Sequence, residues 1–188
     1  MSTVEEILAA IESLSSVERE RLFAALTSRY GDILAPRPAQ LGLGTGFTTS
    51  QPVDEADYVL VFDGGSQGNP GPGYGSYALI HRRDGAREIV RLDFDEEMTN
   101  NEAEYKSLIA GLEDLIARIQ RAGADPAHFT VEVRGDSTLV INQVAGMWKA
   151  KEARMRVLRR QVQALLSRFG GHALHAQPRE ESVRLLGH

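Results

Sequence analysis

The sequence predicts an α/β domain, and three observations support this prediction. Short apolar runs bounded by glycine, such as residues 59–62, are typical of buried strands. Residues 100–122 and 150–168 carry apolar side chains at helical spacing. Strands that alternate with such helices form a layered α/β architecture. The chain has 188 residues, of which 42% are hydrophobic, which is enough for one domain and a small appendage.

Composition excludes several classes of protein. The chain has no cysteine, so we expect neither a disulfide framework nor a thiolate metal site. No apolar run approaches the roughly 18 residues of a membrane span, and no signal-peptide pattern opens the chain. We therefore expect a soluble, cytoplasmic protein without membrane contact. The net charge of −5 does not by itself indicate a nucleic-acid partner.

The first 55 residues are predicted to form an appendage. Residues 1–30 carry two short amphipathic stripes and are expected to form a helical hairpin. Helices this short cannot bury both stripes alone, so the hairpin is expected to self-associate, bind a protein partner or pack on the main domain. Residues 31–55 are rich in Gly and Pro without periodicity, which indicates a linker before a main domain at residues 56–188.

The main domain is predicted to open with three strands, at residues 58–63, 74–81 and 86–93. The second and third strands are joined by Arg82-Arg-Asp-Gly85, in which Asp-Gly is a hairpin signal. The first strand ends at Asp63, before a stretch rich in Gly and Pro. This stretch alone suits a hairpin turn with a capping Asp as well as it suits a functional site.

A long helix is predicted over residues 100–122. Thr99 and Glu102 have the spacing of a capping box, which accounts for Glu102. Four residues before the apolar Leu108, Glu104 falls on the stripe that faces the core. A carboxylate at such a position needs a partner, so Glu104 is a candidate functional residue.

The remaining predicted elements are a strand at residues 129–134, helices at 137–145 and 150–168, a strand at 172–176 that includes His172 and His175, and a short helix at 182–186. Asp136 lies between the fourth strand and the helix after it, where an Asp could simply be an N-cap. Asp63, Glu104 and Asp136 together suggest one metal site, because clustered carboxylates repel unless cations lie between them. Oxygen ligands of this kind suit Mg²⁺ or Mn²⁺.

From residue 57 to the C-terminus, the sequence resembles type 1 ribonuclease H, closest to its archaeal-like branch. The matching residues are Asp63-Gly-Gly-Ser, Gly68-Asn-Pro-Gly-Pro-Gly73, Thr99-Asn-Asn-x-Ala-Glu-Tyr105, Gly135-Asp-Ser and Gly146-x-Trp148. The resemblance implies a five-stranded mixed sheet flanked by helices. It also implies an endoribonuclease that hydrolyses the RNA strand of RNA–DNA hybrids with two metal ions. Asp63 would bind both ions, and Glu104 and Asp136 the ion at the leaving group.

Two groups of residues are candidates for binding the hybrid. Asn69, Asn100, Asn101 and Gln143 resemble family positions that contact the minor groove. Residues 149–160 hold six basic residues and one acidic residue. This cluster suits either a solvated helix face or a phosphate-binding ridge, and we favour the ridge, with Trp148, Lys149 and Lys151 in contact with the substrate.

The chain departs from the family pattern at the fourth carboxylate, where Leu186 falls on the Asp position. Glu180, Glu181 or His188 could substitute, but none has the right periodicity. A catalytically weakened hybrid-binding module is therefore an alternative to the active enzyme, and a scaffold for the hairpin's partner is a third. The intact carboxylate triad favours the enzyme.

Overall fold

The structure is a computed structural model that describes residues 55–187 and, on its own, Leu22. The hairpin predicted for residues 1–30, the linker predicted for 31–55 and the terminal His188 lie outside the described residues, apart from Leu22 and Glu55. Within the described part of the chain, no helix is long and apolar enough to cross a membrane.

Residues 55–187 form a five-stranded mixed sheet, as predicted. Its strands are β1 (Tyr58–Ser66), β2 (Gly71–His81), β3 (Arg87–Met98), β4 (Thr130–Gly135) and β5 (Gly171–Ala176). They lie in the order β3-β2-β1-β4-β5. The first three strands pair antiparallel, whereas β4 pairs in parallel with β1 and β5 in parallel with β4. His172 and His175 lie in β5, as predicted.

Four helices flank the sheet: α1 (Asn100–Arg121), α2 (Thr138–Val144), α3 (Ala153–Leu166) and α4 (Arg179–Leu186). The predictions for α3 and α4 were wrong at their first residues. The backbone of Glu152 is extended, so α3 begins at Ala153 and Lys149 and Lys151 lie in the preceding loop. Pro178 is the N-cap of α4, which therefore begins three residues before the predicted start at residue 182.

The two faces of the sheet bury different sets of side chains. Because side chains alternate along a strand, Leu60 and Phe62 of β1 point to one face and Val59 and Val61 to the other. The first face packs against α1, α2 and α3 and holds the larger core cluster. The second face holds a small cluster in which Leu186 of α4 packs with Val59, Val61 and Ala78. The short α4 is thus placed on the face toward which Asp63 also points.

Candidate active site

Asp63, Glu104 and Asp136 lie together, with one carboxylate oxygen from each within 4.8 Å of the others. The sequence predicted this triad, although Glu104 lies 41 positions and Asp136 73 positions after Asp63 along the chain. The three side chains come from β1, from the start of the second turn of α1 and from the segment that follows β4.

Asp63 and Asp136 meet because β1 and β4 separate at this point. The last pair between these strands is Phe62–Gly135, so each Asp is the first residue beyond it. The sequence had indicated that Asp63 is the last residue of its strand, and this prediction was wrong. Strand β1 continues to Ser66, paired with β2, and only its pairing with β4 ends. The gap between the two strands leaves room for a third carboxylate.

Glu104 reaches this gap because α1 begins directly over β1. At Gly64, a Cβ atom would lie 2.5 Å from the backbone nitrogen of Glu104, so only glycine allows the helix to approach this closely. The start of α1 is fixed by the predicted capping box: Thr99 Oγ1 accepts from Glu102 N at 3.3 Å, and Glu102 Oε2 accepts from Thr99 N at 2.8 Å. Glu102 caps the helix, and Glu104 enters the site.

Asp136 is not the N-cap of the helix that follows it. That position belongs to Ser137, whose side chain accepts a hydrogen bond from Val140 N. The alternative reading of Asp136 as a simple cap is therefore wrong, and its carboxylate lies with the triad.

The electrostatics of the triad indicate a cation site. Burial, followed by the charges of Asp136 and Asp63, raises the pKa of Glu104 to about 9, and the Arg179 guanidinium opposes this shift. Burial and the charge of Asp63 also raise the pKa of Asp136. Glu104 Oε2 and Asp136 Oδ1 are buried without a hydrogen-bond partner. Buried oxygens that lack donors and repel one another fit a hard divalent cation such as Mg²⁺ or Mn²⁺.

Arg179 is a residue of the site that the sequence analysis missed. Its charge lowers the pKa of both Glu104 and Asp136, so it acts on the triad from the first turn of α4. The predicted start of α4 at residue 182 had left Arg179 in a loop. The signal that could have found it is Pro178, since proline is favoured at helix starts.

Asn69 and Asn100 form a connected group beside the triad. Asn100 Oδ1 accepts from both the backbone nitrogen and the hydroxyl of Ser66, each at 2.9 Å, and Asn69 Oδ1 accepts from Asn100 N at 3.2 Å. Both amide oxygens are thereby used within the protein, and both side chains are exposed. The NH₂ groups are left to donate outward. Asn101 is also exposed.

The other predicted substrate contacts are distributed differently. Gln143 is only 6% exposed, and its Oε1 accepts from the Tyr105 hydroxyl at 2.9 Å, so the structure does not bring it to the surface. Trp148, Lys149 and Lys151 are exposed.

Within the basic cluster of residues 149–160, Arg159 is the exception. It is half-buried and its Nε is buried without a partner, so it belongs to the interior rather than to the exposed ridge. Arg154 is exposed and lies 3.5 Å from Glu102, which links the start of α3 to the start of α1. The exposed ridge therefore has five basic members instead of six.

Leu186 is fully buried against Val59 and Val61, the two residues that precede Asp63 on its face of β1. The side chain is therefore near the triad but supplies no ligand. Glu180 is exposed, and Glu181 pairs with Arg184 at 3.3 Å. Neither lies in the described carboxylate cluster.

A mixed five-stranded sheet with three carboxylates where β1 and β4 separate defines a ribonuclease H-like domain. The profile of the reverse transcriptase-like family matches residues 61–183, more than half of the chain. Ribonuclease HI of Halobacterium salinarum is 37% identical over 123 residues, which cover 65% of this chain and 57% of that protein.

Solved structures agree with this assignment. The crystal structure of ribonuclease H1 from Halobacterium salinarum has a TM-score of 0.55 at 34% identity and covers 68% of this chain and 90% of that one. LC11 ribonuclease H1, crystallised with an RNA/DNA hybrid, has a TM-score of 0.57 at 28% identity, and the match covers 68% of this chain and 90% of that one. The chain belongs to the type 1 ribonuclease H family, which confirms the resemblance drawn from its motifs.

Proposed function

We propose that this chain is an endoribonuclease that hydrolyses the RNA strand of RNA–DNA hybrids by a two-metal mechanism. The observation that carries the proposal is the triad of Asp63, Glu104 and Asp136, in which Glu104 Oε2 and Asp136 Oδ1 are buried without a hydrogen-bond partner. The relatives support the substrate class, since all three reported above are named ribonuclease HI or H1 and one of these structures was crystallised with a hybrid.

Asp63, Glu104 and Asp136 would hold Mg²⁺ or Mn²⁺. When bound, such ions activate a water molecule for attack and neutralise charge on the leaving oxygen. The protein contributes the alignment of the three carboxylates: β1, α1 and the end of β4 are each anchored in the core, so the oxygens do not need to reorganise. Arg179 adds a positive charge that reduces the repulsion among the carboxylates.

Recognition of the hybrid would use the outward amide donors of Asn69 and Asn100. The minor groove presents acceptor atoms at every base pair, and the 2′-hydroxyl of RNA is itself an acceptor. Donors held by internal hydrogen bonds lose little freedom when they bind. Lys149 and Lys151 would contact phosphates, and the exposed Trp148 would pack on a sugar or base.

A catalytically weakened hybrid-binding module is the second candidate. It is favoured by Leu186, which is fully buried among apolar side chains where the family pattern has a carboxylate. This candidate predicts tight binding of the hybrid with slow cleavage.

The deciding experiment is cleavage of an end-labelled RNA–DNA hybrid in Mg²⁺ and in Mn²⁺, with single-stranded RNA, double-stranded RNA and double-stranded DNA as controls. We expect cuts in the RNA strand of the hybrid alone, and we expect Asp63→Asn to abolish them in both metals while it retains hybrid binding. Binding without any Asp63-dependent cleavage would support the second candidate, and absence of both would reject the two together.

A further inference from the structure

Tyr74 is an exposed aromatic side chain with no role in the function proposed above. It lies in β2 and is 49% exposed, although most large apolar side chains of this sheet are buried. A half-exposed aromatic ring at a functional site is a frequent contact for a ligand, because it offers a large rigid surface at little entropic cost.

The register of the sheet places Tyr74 on the same face as Asp63. Asp63 pairs with Ser76, and Gly65 pairs with Tyr74. Since side chains alternate, Asp63, Gly65, Ser76 and Tyr74 all point to one face. Asp63 and Tyr74 are diagonal neighbours across this antiparallel pair, and such neighbours lie about 7–8 Å apart. The Tyr74 side chain therefore starts about one nucleotide step from the triad.

The ring is held over Gly65, which has no side chain to displace it. A Cβ atom at Gly65 would lie 2.7 Å from the Tyr74 hydroxyl oxygen and 2.8 Å from Cζ, and its three nearest neighbours would all be atoms of the Tyr74 side chain. On the edge of β2 that faces away from β1, the pairing with β3 is irregular between Pro72 and Tyr74. Bulges of this kind occur beside active sites and reorient single side chains.

We propose that Tyr74 is a substrate-contacting residue whose ring packs on the sugar of a nucleotide beside the cleaved phosphodiester. The bases of a duplex are stacked on each other, so the sugar is the apolar surface that remains for a ring outside the helix. The inference rests on the proposed function, because it takes the hybrid as the ligand. It adds an aromatic surface on the β2 side of the triad, separate from Trp148 and the basic ridge.

The test compares Tyr74→Ala with Tyr74→Phe by steady-state cleavage of a hybrid. Loss of an aromatic contact with a nucleotide should raise KM about fivefold or more in the Ala variant. Because the ring makes the contact, the Phe variant should stay within about twofold of the natural protein. Ile89→Ala is the matched control, since Ile89 is exposed on the same face, pairs with Ala78 and should not change KM.

A double-mutant cycle with Gly65→Ala distinguishes a contact with substrate from a structural role. The added methyl group should displace the ring and raise KM in the natural background. In the Tyr74→Ala background it has no ring to displace, so it should add nothing. Melting temperatures of all four proteins should agree within about 2 °C. Gly65 is buried, but the atoms that an added Cβ would meet belong to the half-exposed Tyr74 side chain, and neither residue is part of the hydrophobic core clusters.

Two results would overturn the proposal: an unchanged KM in Tyr74→Ala, or an equal loss in Tyr74→Phe, which would assign the effect to the hydroxyl. The same variants are also made in the Asp63→Asn background and titrated with a fluorescent hybrid. If the natural chain binds the hybrid but does not cut it, the catalytic proposal fails while this titration still decides the role of Tyr74. If the chain does not bind the hybrid, both proposals fail.

Discussion

Replacing Glu104 by Gln should stabilise the metal-free protein while it abolishes catalysis. The carboxylate of Glu104 is 9% exposed and lies beside two other acids, so ionising it in the folded state is costly. Its pKa of about 9 in the folded protein compares with 4.5 in an unfolded chain. Between these values the unfolded state loses its proton first, so stability falls as the pH rises from 4.5 to 9.

The size of the effect follows from this difference. At pH 7, which is 2.5 pH units above 4.5, Glu104 lowers the free energy of unfolding by about 3 kcal/mol, at 1.36 kcal/mol per unit. At pH 5 this reduction is below about 1 kcal/mol. Thermal unfolding in EDTA should therefore show Glu104→Gln melting about 5–10 °C above the natural protein at pH 7, with a smaller difference at pH 5.

Glu102→Gln is the matched control, two residues away on the same helix. The hydrogen bond from Thr99 N lowers the pKa of Glu102, with a further contribution from Arg154, so its negative charge is favourable. Its substitution should lower stability by about 0.5–1 kcal/mol and leave most of the activity. The reasoning would be refuted if Glu104→Gln were no more stable than the natural protein in EDTA, or if Mg²⁺ stabilised both equally.

Three further predictions concern the metal and the substrate. The Mg²⁺ concentration for half-maximal rate should fall as the pH rises from 6 to 8, because protons compete for Glu104; a flat profile would show that this carboxylate is already ionised. Leu186→Asp should lower the melting temperature in EDTA, because it buries a carboxylate beside Val61. The same substitution should raise the Mg²⁺-dependent cleavage rate about tenfold. An unchanged rate would mean that residue 186 of α4 does not align with the family's fourth ligand. Replacing Lys149 and Lys151 by Ala should weaken hybrid binding and flatten its salt dependence by roughly one unit per lost phosphate contact, whereas an unchanged slope would assign the ridge to a plain solvated surface.

The sequence by itself determined the elements and the triad. Alternation and turn residues gave the five strands, and the capping box at Thr99 gave the first residue of α1 correctly. These signals are local, since each depends on side chains within a few residues of one another. Of the three carboxylates, only Glu104 lies where the local periodicity predicts an apolar residue. Asp63 and Asp136 each fit a local turn or cap when taken alone, and they were assigned to a site because three carboxylates at element ends together indicate a cation.

Only the tertiary structure decided what each carboxylate does and what surrounds it. The sequence placed Asp63 at the end of a strand, whereas the structure shows a strand that continues with β2 and loses only β4. The point at which β1 stops pairing with β4 depends on residues about 70 positions away in the sequence, so no local pattern encodes it. The burial of Gln143, the approach of Arg179 to the triad and the placement of Tyr74 over Gly65 have the same origin. Each depends on contacts between elements, which form only when the sheet and helices pack together.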